Sequence, residues 1–551
     1  MKPLRRPVAS SGLEAYWTPG RLALVAGIFG LAWLAFASPW LSGRVTIPYD
    51  AKAHFQAQLQ FLAQSFAKGE SPFWTPNVFA GSPQIADPQS LIFSPAVLVA
   101  WFVDHPGFRT LDALVLAHLG VGGLCILMFF RDRGWRPAGA VVAALGFSFG
   151  ASAAWRIQHV GQVFSFAAFG LTLWLLARAL DRGSWRYGLL AGAAGALMVA
   201  TPNQVALLAA YVLAGYVLAH WLDGEGRIAR LQASVKPLGA AAATGLALAA
   251  APLLMTVLFA GASQRAAITY AEAVRGSLHP ASLLTAYVAD IFGAGDPTVD
   301  YWGPSSISWD PGVLSLSQNM GEVYFGILPV LAILTFGLTR GLIFRREIRF
   351  FTIALAAMIL YALGGYTPAF RIMYEVLPGV SGFRRPADAT FLIGGLGAIV
   401  GGYLVHAYLS GELRVASAAA RGLKTLVPAA VLAVALVLAW SGNHLADAAR
   451  PLLAALALTV GALTLLVFLR RYADAAPTMA AVAVAAFMVL DLGLNNGPNE
   501  STGLPPKAYD VMDPDTRNRT IATLKARLAQ TGEPARRDRV ELVGVGFEWP
   551  N

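Results

Sequence analysis

Apolar runs of about twenty residues recur along this chain, and about twenty apolar residues at 1.5 Å each cross the hydrocarbon core of a bilayer. The runs fall near 21–41, 110–130, 137–154, 162–180, 187–202, 204–222, 237–260, 321–339, 350–366, 390–409, 424–441, 451–469 and 477–494. The pattern predicts an all-α polytopic membrane protein with about 13 transmembrane helices. Residues 1–20 form a basic N-terminus, 21–495 a multi-span domain and 496–551 a tail of different character.

Between the runs the pattern changes period. From Ala51 to Lys68, Phe55, Leu59, Leu62 and Phe66 recur at spacings of four, three and four, which predicts an amphipathic helix lying on the membrane surface. Gln56, Gln60 and Gln64 are expected on its other faces. A stretch punctuated by Pro, Gly and Asn follows from Ser71 to Pro83, and Ser90–Val103 reads as a second segment too short to span. Beyond Asn499 the tail predicts a helix over Asp515–Gln530 and a strand over Arg539–Val545, a short α/β unit. An apolar strand without a partner is an exposed edge, so the tail is expected to be either a piece of a larger outer domain or an ordinary ragged terminus.

Composition agrees with the pattern. Of the 551 residues, 56% are hydrophobic and only 13% charged, against about 25% charged in a soluble domain. Mean hydropathy is +0.57. The net charge of +10 does not point to nucleic acid, because the basic residues form short clusters between apolar runs rather than one patch. The lone Cys125 can form no disulfide within the chain. The basic start runs straight into an apolar stretch reaching Trp40, so it reads as a first span.

Charge also predicts orientation. Lys2, Arg5, Arg6 and Arg21 precede the first run, which places the N-terminus in the cytoplasm. Alternation then puts six later clusters on the same side: Arg131–Arg136, Arg178–Arg186, Arg227–Lys236, Arg340–Arg349, Arg414–Lys424 and Arg470–Arg471. The long loops 42–109, 261–320 and 367–389, with the tail, fall outside a cytoplasmic (cell inner) membrane. Function is sought there.

No GxGxxG with a following acid, GxxxxGK[ST] or HExxH occurs, and one cysteine excludes CxxC. Asp50, in Ile47-Pro48-Tyr49-Asp50-Ala51-Lys52-Ala53-His54, stands where the chain leaves the first span. It can cap the surface helix, act as a base toward an acceptor hydroxyl, or bind a metal. His54, four residues on, can share its face. Asp87 either begins a turn or joins the site. Arg384 and Arg385 defy the positive-inside bias; they snorkel to headgroups or take a lipid-linked phosphate. Asp290, Asp296, Asp300, Tyr301, Trp302, Trp309 and Asp310 suit sugar binding or an interfacial aromatic belt. Arg156 and His159, near the outer end of the third run, are weaker candidates.

Four features in order carry a resemblance to the YfhO-like family of bacterial membrane proteins, grouped with the GT-C class of membrane glycosyltransferases. These are Pro48-Tyr49-Asp50 after the first span, the stretch Gly69-Glu70-Ser71-Pro72-Phe73-Trp74-Thr75-Pro76 with Phe79-Ala80-Gly81-Ser82-Pro83, the Phe383-Arg384-Arg385-Pro386 segment, and an outer tail. The resemblance covers essentially the whole chain, and the first-loop pattern is its most specific part. It implies transfer of a sugar from a polyprenyl-phosphate-linked donor to an envelope glycan, lipid or protein acceptor outside the membrane. Asp50 would be catalytic; Arg384 or Arg385, with or without a divalent cation, would neutralise the departing phosphate, with His54 and Asp87 near the substrate. Relatives usually carry a larger outer C-terminal domain, and this chain departs from that. Two other classes compete: a transporter or flippase, and a non-catalytic scaffold for envelope assembly. Acidic groups cluster in the outer loops rather than at mid-bilayer, which weighs against transport.

Overall fold

A computed structural model describes residues 16–78, 81–263, 268–304, 317–411, 418–513 and 516–530. Helices dominate, and among the described residues the only β pairing is two isolated bridges, Thr46 with Leu504 and Thr75 with Ser82. In chain order the helices are α1 (Pro19–Leu41), α2 (Ala57–Lys68), α3 (Ala96–Phe102), α4 (Phe108–Asp132), α5 (Pro137–Phe149), α6 (Val160–Arg182), α7 (Trp185–Met198), α8 (Gln204–Leu222) and α9 (Arg227–Gly261). They continue with α10 (Ile327–Leu338), α11 (Arg349–Ala362), α12 (Pro368–Val376), α13 (Thr390–Leu409), α14 (Ala418–Ser441), α15 (Leu445–Tyr472), α16 (Pro477–Asn496) and α17 (Arg519–Ala529). Short turns such as Ser152–Trp155 connect them.

Each of the thirteen apolar runs coincides with a helix. Nine helices among the described residues are long and apolar enough to cross a membrane, so this is a multi-pass membrane protein. Three others are shorter than their runs: α7 spans 14 residues, and α10 and α11 are of similar length. The expected tail helix forms over Arg519–Ala529, capped by Asn518. Arg539–Val545, Trp309 and Asp310 lie outside the described residues.

The bundle holds together by close approach of backbones. Leucine gains little by leaving lipid for a helix interface, so small residues that bring backbones into contact carry the association. Against α13, a Cβ built on Gly402 would stand 2.5 Å from the Gly139 carbonyl oxygen of α5, and one on Gly139 would stand 2.5 Å from that of Gly402. Gly188 and Gly192 of α7 press likewise on the Pro237 and Ala241 carbonyls of α9. Replacing Gly402 with Leu forces α5 and α13 apart. The expected cost is about 1–3 kcal/mol, measured as a lower apparent Tm in detergent, whereas Gly27→Leu, where nothing lies within 4 Å, should leave Tm unchanged.

The two ends of the bundle differ chemically. At one end arginines pair with acids: Arg178 with Asp132 at 2.5 Å, Arg133 with Asp181 at 3.0 Å, and Arg136 with Asp474 at 2.5 Å. Helix α4 runs from that end, at Asp132, to Asp112 beside the loop that holds Asp50, roughly 30 Å at 1.5 Å per residue.

The surface segment departs from the expected simple helix. Ala51–Gln56 forms a π turn, and only then does the α-helix continue over Ala57–Lys68. Phe55, Leu59 and Leu62 face inward as their spacing requires. Gln56 is buried too, however, because its amide donates to the Pro106 carbonyl at 2.6 Å. Of the segment 90–103 only Ala96–Phe102 is helical; it packs on α2, with Phe66 and Trp101 rings 5.2 Å apart, and leaves Leu98, Trp101 and Phe102 exposed.

Candidate functional site at one membrane boundary

The approach to Asp50 is held from two sides. Thr46 exchanges both backbone hydrogen bonds with Leu504 of the tail, at 2.8 and 3.1 Å. The Tyr49 N–H donates to the Tyr509 hydroxyl at 2.7 Å. Tyr49 itself has φ +51°, in the left-handed region that is costly for a residue with a large side chain. That turn swings Asp50 to the head of the π turn, a distortion frequent at functional sites.

Asp50 does not cap the helix; its carboxylate makes no capping bond. Instead Oδ2 lies 3.1 Å from Nδ1 of His159, which stands between the Ser152–Trp155 turn and α6. Burial, and then the Arg156 charge, push His159 below the usual histidine range, and its Nδ1–H donates to Asp50. That bond is the main reason the Asp50 carboxyl sits below the ordinary aspartate range, with His159, His54 and Arg385 adding electrostatically against the opposing effect of burial. Asp50 is thus held ionised while half-exposed.

Behind His159 lies a closed polar triangle. Fully buried Arg156 pairs with Asp388 at 2.7 Å and donates to Gln162 Oε1 at 2.9 Å, and Gln162 Nε2 donates to Asp388 Oδ2 at 3.0 Å. The Arg156 guanidinium also lies 5.3 Å from the centre of the Phe391 ring. A buried arginine needs partners of this kind, although its Nε and Nη1 and the Asp388 Oδ1 make no hydrogen bond here.

The segment before Asp388 presents Arg385. Its backbone is left-handed at φ +70°, pinned where its N–H donates to the Arg275 carbonyl at 3.1 Å and the Ala387 N–H to that of Gly276 at 3.2 Å. A Cβ on Gly276 would stand 3.0 Å from the Arg385 side chain, so only glycine leaves room there. The exposed Arg385 charge acts on both Asp50 and Arg156. Exposed Arg384 acts instead on Glu272.

The other expected residues fall as follows. His54, in the π turn, lies close enough to act on Asp50, and its Nε2 is buried without a partner. Asp87 is engaged in its own turn, where Oδ1 accepts the Gln89 N–H at 2.8 Å. Trp302 of the loop 261–320 is buried and stacks on His444 at 4.9 Å, so it faces neither sugar nor lipid. Asp290 accepts from the Gly295 N–H at 2.9 Å and donates its own N–H to buried Glu322 at 3.1 Å; burial pushes its carboxyl up to about 6. Among the described residues no three His, Cys, Asp or Glu side chains gather as a metal would require.

Arg156, Gln162, Asp388 and His159 belong to the site although they stood outside the main sequence candidates. Ionisable groups inside an otherwise apolar stretch were the available signal for the first and last.

Fold and site together define a polytopic all-α membrane protein with an acid–histidine–arginine cluster at one membrane boundary. No family model matches the chain, and no curated protein does. Two solved structures are similar to it, both of ArnT from Cupriavidus metallidurans, one bound to undecaprenyl phosphate and one in the apo state. The first is 15% identical with a TM-score of 0.45 and the second 14% with 0.44; each comparison covers 94% of this chain and 81% of the other.

Proposed function

We propose that this protein is a GT-C-type membrane glycosyltransferase, moving a sugar from a polyprenyl-phosphate-linked donor to an acceptor hydroxyl at the outer face of the cytoplasmic membrane. The reading rests on one observation: the half-exposed Asp50 carboxylate stands within the field of Arg385. A sugar phosphate offers a weakly basic leaving group, so two tasks remain. The acceptor hydroxyl must lose its proton, and the departing phosphate charge must be met. Asp50 takes the proton while His159 fixes its orientation. Arg385 meets the phosphate, and Arg384 stands beside it. The Arg156–Asp388–Gln162 triangle supports both partners from behind. The arginine-rich far end suits the cytoplasmic side, which supports a reading with the Asp50 end and the tail outside.

The test compares lipid-linked sugars and envelope glycans in a deletion strain and in strains complemented with the wild type or Arg385→Ala. A lipid-linked sugar should accumulate in the deletion strain and in the Arg385→Ala strain, and one glycan decoration should disappear. An unchanged glycan profile with no accumulation would overturn the reading.

The reading also fixes a pH dependence. A carboxyl with a depressed pKa keeps its charge until the pH falls below the ordinary aspartate range, so the acid limb of the transfer rate should lie below it. His159→Phe removes the bond that depresses Asp50 and should move that limb toward higher pH. An acid limb that stays in place in the His159→Phe pH–rate profile would remove His159 from this role.

A further inference from the structure

The first loop carries polar groups that neither the fold nor the Asp50 cluster uses. His54, at the first turn after Asp50, has a buried Nε2 with no partner. Gln58 follows four residues on, in the α-helix that continues the π turn, and is buried. Its Oε1 accepts from Gln84 Nε2 at 2.6 Å. Gln84 is 4% exposed, and its own Oε1 has no partner. A buried amide oxygen left unpaired costs about 1–3 kcal/mol, so a strip of such groups marks a place where a ligand completes the bonding.

Aromatic surface adjoins the strip. The Ile85 N–H, next to Gln84, donates to the Phe73 carbonyl at 3.2 Å, and Thr75 and Ser82 exchange backbone bonds at 2.9 and 2.8 Å. These bonds hold Phe73 and Trp74 beside Gln84. The two rings are 52% and 55% exposed, and the indole lies against Gly81, where a Cβ would stand 2.6 Å from it.

We infer that His54, Gln58, Gln84 and Trp74 form a carbohydrate subsite that runs from Asp50 along the first loop. Sugar hydroxyls both donate and accept, and so do an imidazole and carboxamides taken together. The apolar face of a pyranose is a partner for an exposed indole. An anion would find no arginine or lysine among His54, Gln58, Gln84 and Trp74, and a lipid tail would leave the amide oxygen unpaired. The identity of the bound group as a sugar rests on the glycosyltransferase reading, and the subsite adds to it the residues that choose among sugars.

The test uses the full chain in nanodiscs and saturation-transfer NMR with methyl glycosides of the common hexoses and pentoses. At least one glycoside should receive saturation from the wild type. The signal should fall at least fivefold in Gln84→Leu and in Trp74→Ala, and persist in Arg385→Ala. Trp74→Ala removes a surface side chain, so it stays informative even where Gln84→Leu lowers the thermal unfolding temperature. No saturation of any glycoside, or equal saturation in wild type and Trp74→Ala, would overturn the subsite. Transfer from polyprenyl-phosphate sugars is measured on the same samples. Glycoside binding lost in both variants without any wild-type transfer would support the subsite and defeat the enzyme reading. Transfer present with binding indifferent to Gln84 and Trp74 would do the reverse.

Discussion

Asp50→Asn is expected to lower the rate of sugar transfer by about a hundredfold to ten-thousandfold, the usual contribution of a general base. The substitution keeps the shape and one acceptor oxygen, so His159 can still donate. It removes the negative charge that receives the acceptor proton. It also removes the counter-charge to Arg385, which should bind a lipid phosphate at least as well as before. The expected signature is therefore a fall in kcat with little rise in KM for the lipid-linked donor. Because Asp50 is half-exposed and makes no capping bond, the thermal unfolding temperature should hold. Activity within threefold of wild type would remove Asp50 from catalysis, whereas loss of activity together with a fall in Tm would make it structural.

The prediction takes its geometry from places the sequence could not reach. Membrane helices are legible one at a time, since each apolar run needs only its own length to declare itself. All thirteen runs became helices for that reason. Phe55, Leu59 and Leu62 also announced their buried face locally. Contacts between distant segments carry no such mark. Asp50 meets His159 across 109 positions, and Arg156 meets Asp388 across 232. Nothing in Ala154–Gln162 alone says which carboxylate will face the histidine.

Buried glutamines were illegible for a different reason. By period, Gln56 belonged on a polar face, yet the π turn adds a residue to the first turn and rotates the face that follows. Its amide then reaches the Pro106 carbonyl inside the protein. The short helices α7, α10 and α11 mark a related limit. Hydropathy records how apolar a stretch is but not where its helical turns stop, and Pro, Gly and π segments set those ends.

Lys52→Met should destabilise the protein by about 3–5 kcal/mol, the cost of breaking a buried ion pair from one side. Lys52 and Asp112 meet at 2.6 Å with both side chains fully enclosed. The Asp112 carboxylate also accepts from the Thr46 hydroxyl at 2.6 Å and from the Ile47 N–H at 3.3 Å, while the Lys52 ammonium lies 5.3 Å from the centre of the Phe108 ring. One carboxylate thus ties both flanks of Asp50 to α4. Removing the lysine strands that negative charge in a dry site. Adding Asp112→Asn to Lys52→Met withdraws the stranded charge, keeps a hydrogen-bonding group for Thr46, and should recover part of the loss. Apparent Tm in detergent, read for both single variants and the double, forms a closed cycle. A double variant that falls by the sum of the two singles would mean that the pair is not coupled and that the Asp50 loop is anchored elsewhere. Recovery in Tm without recovery of sugar transfer would mean that the ion pair sets the position of Asp50 as well as the stability of its loop.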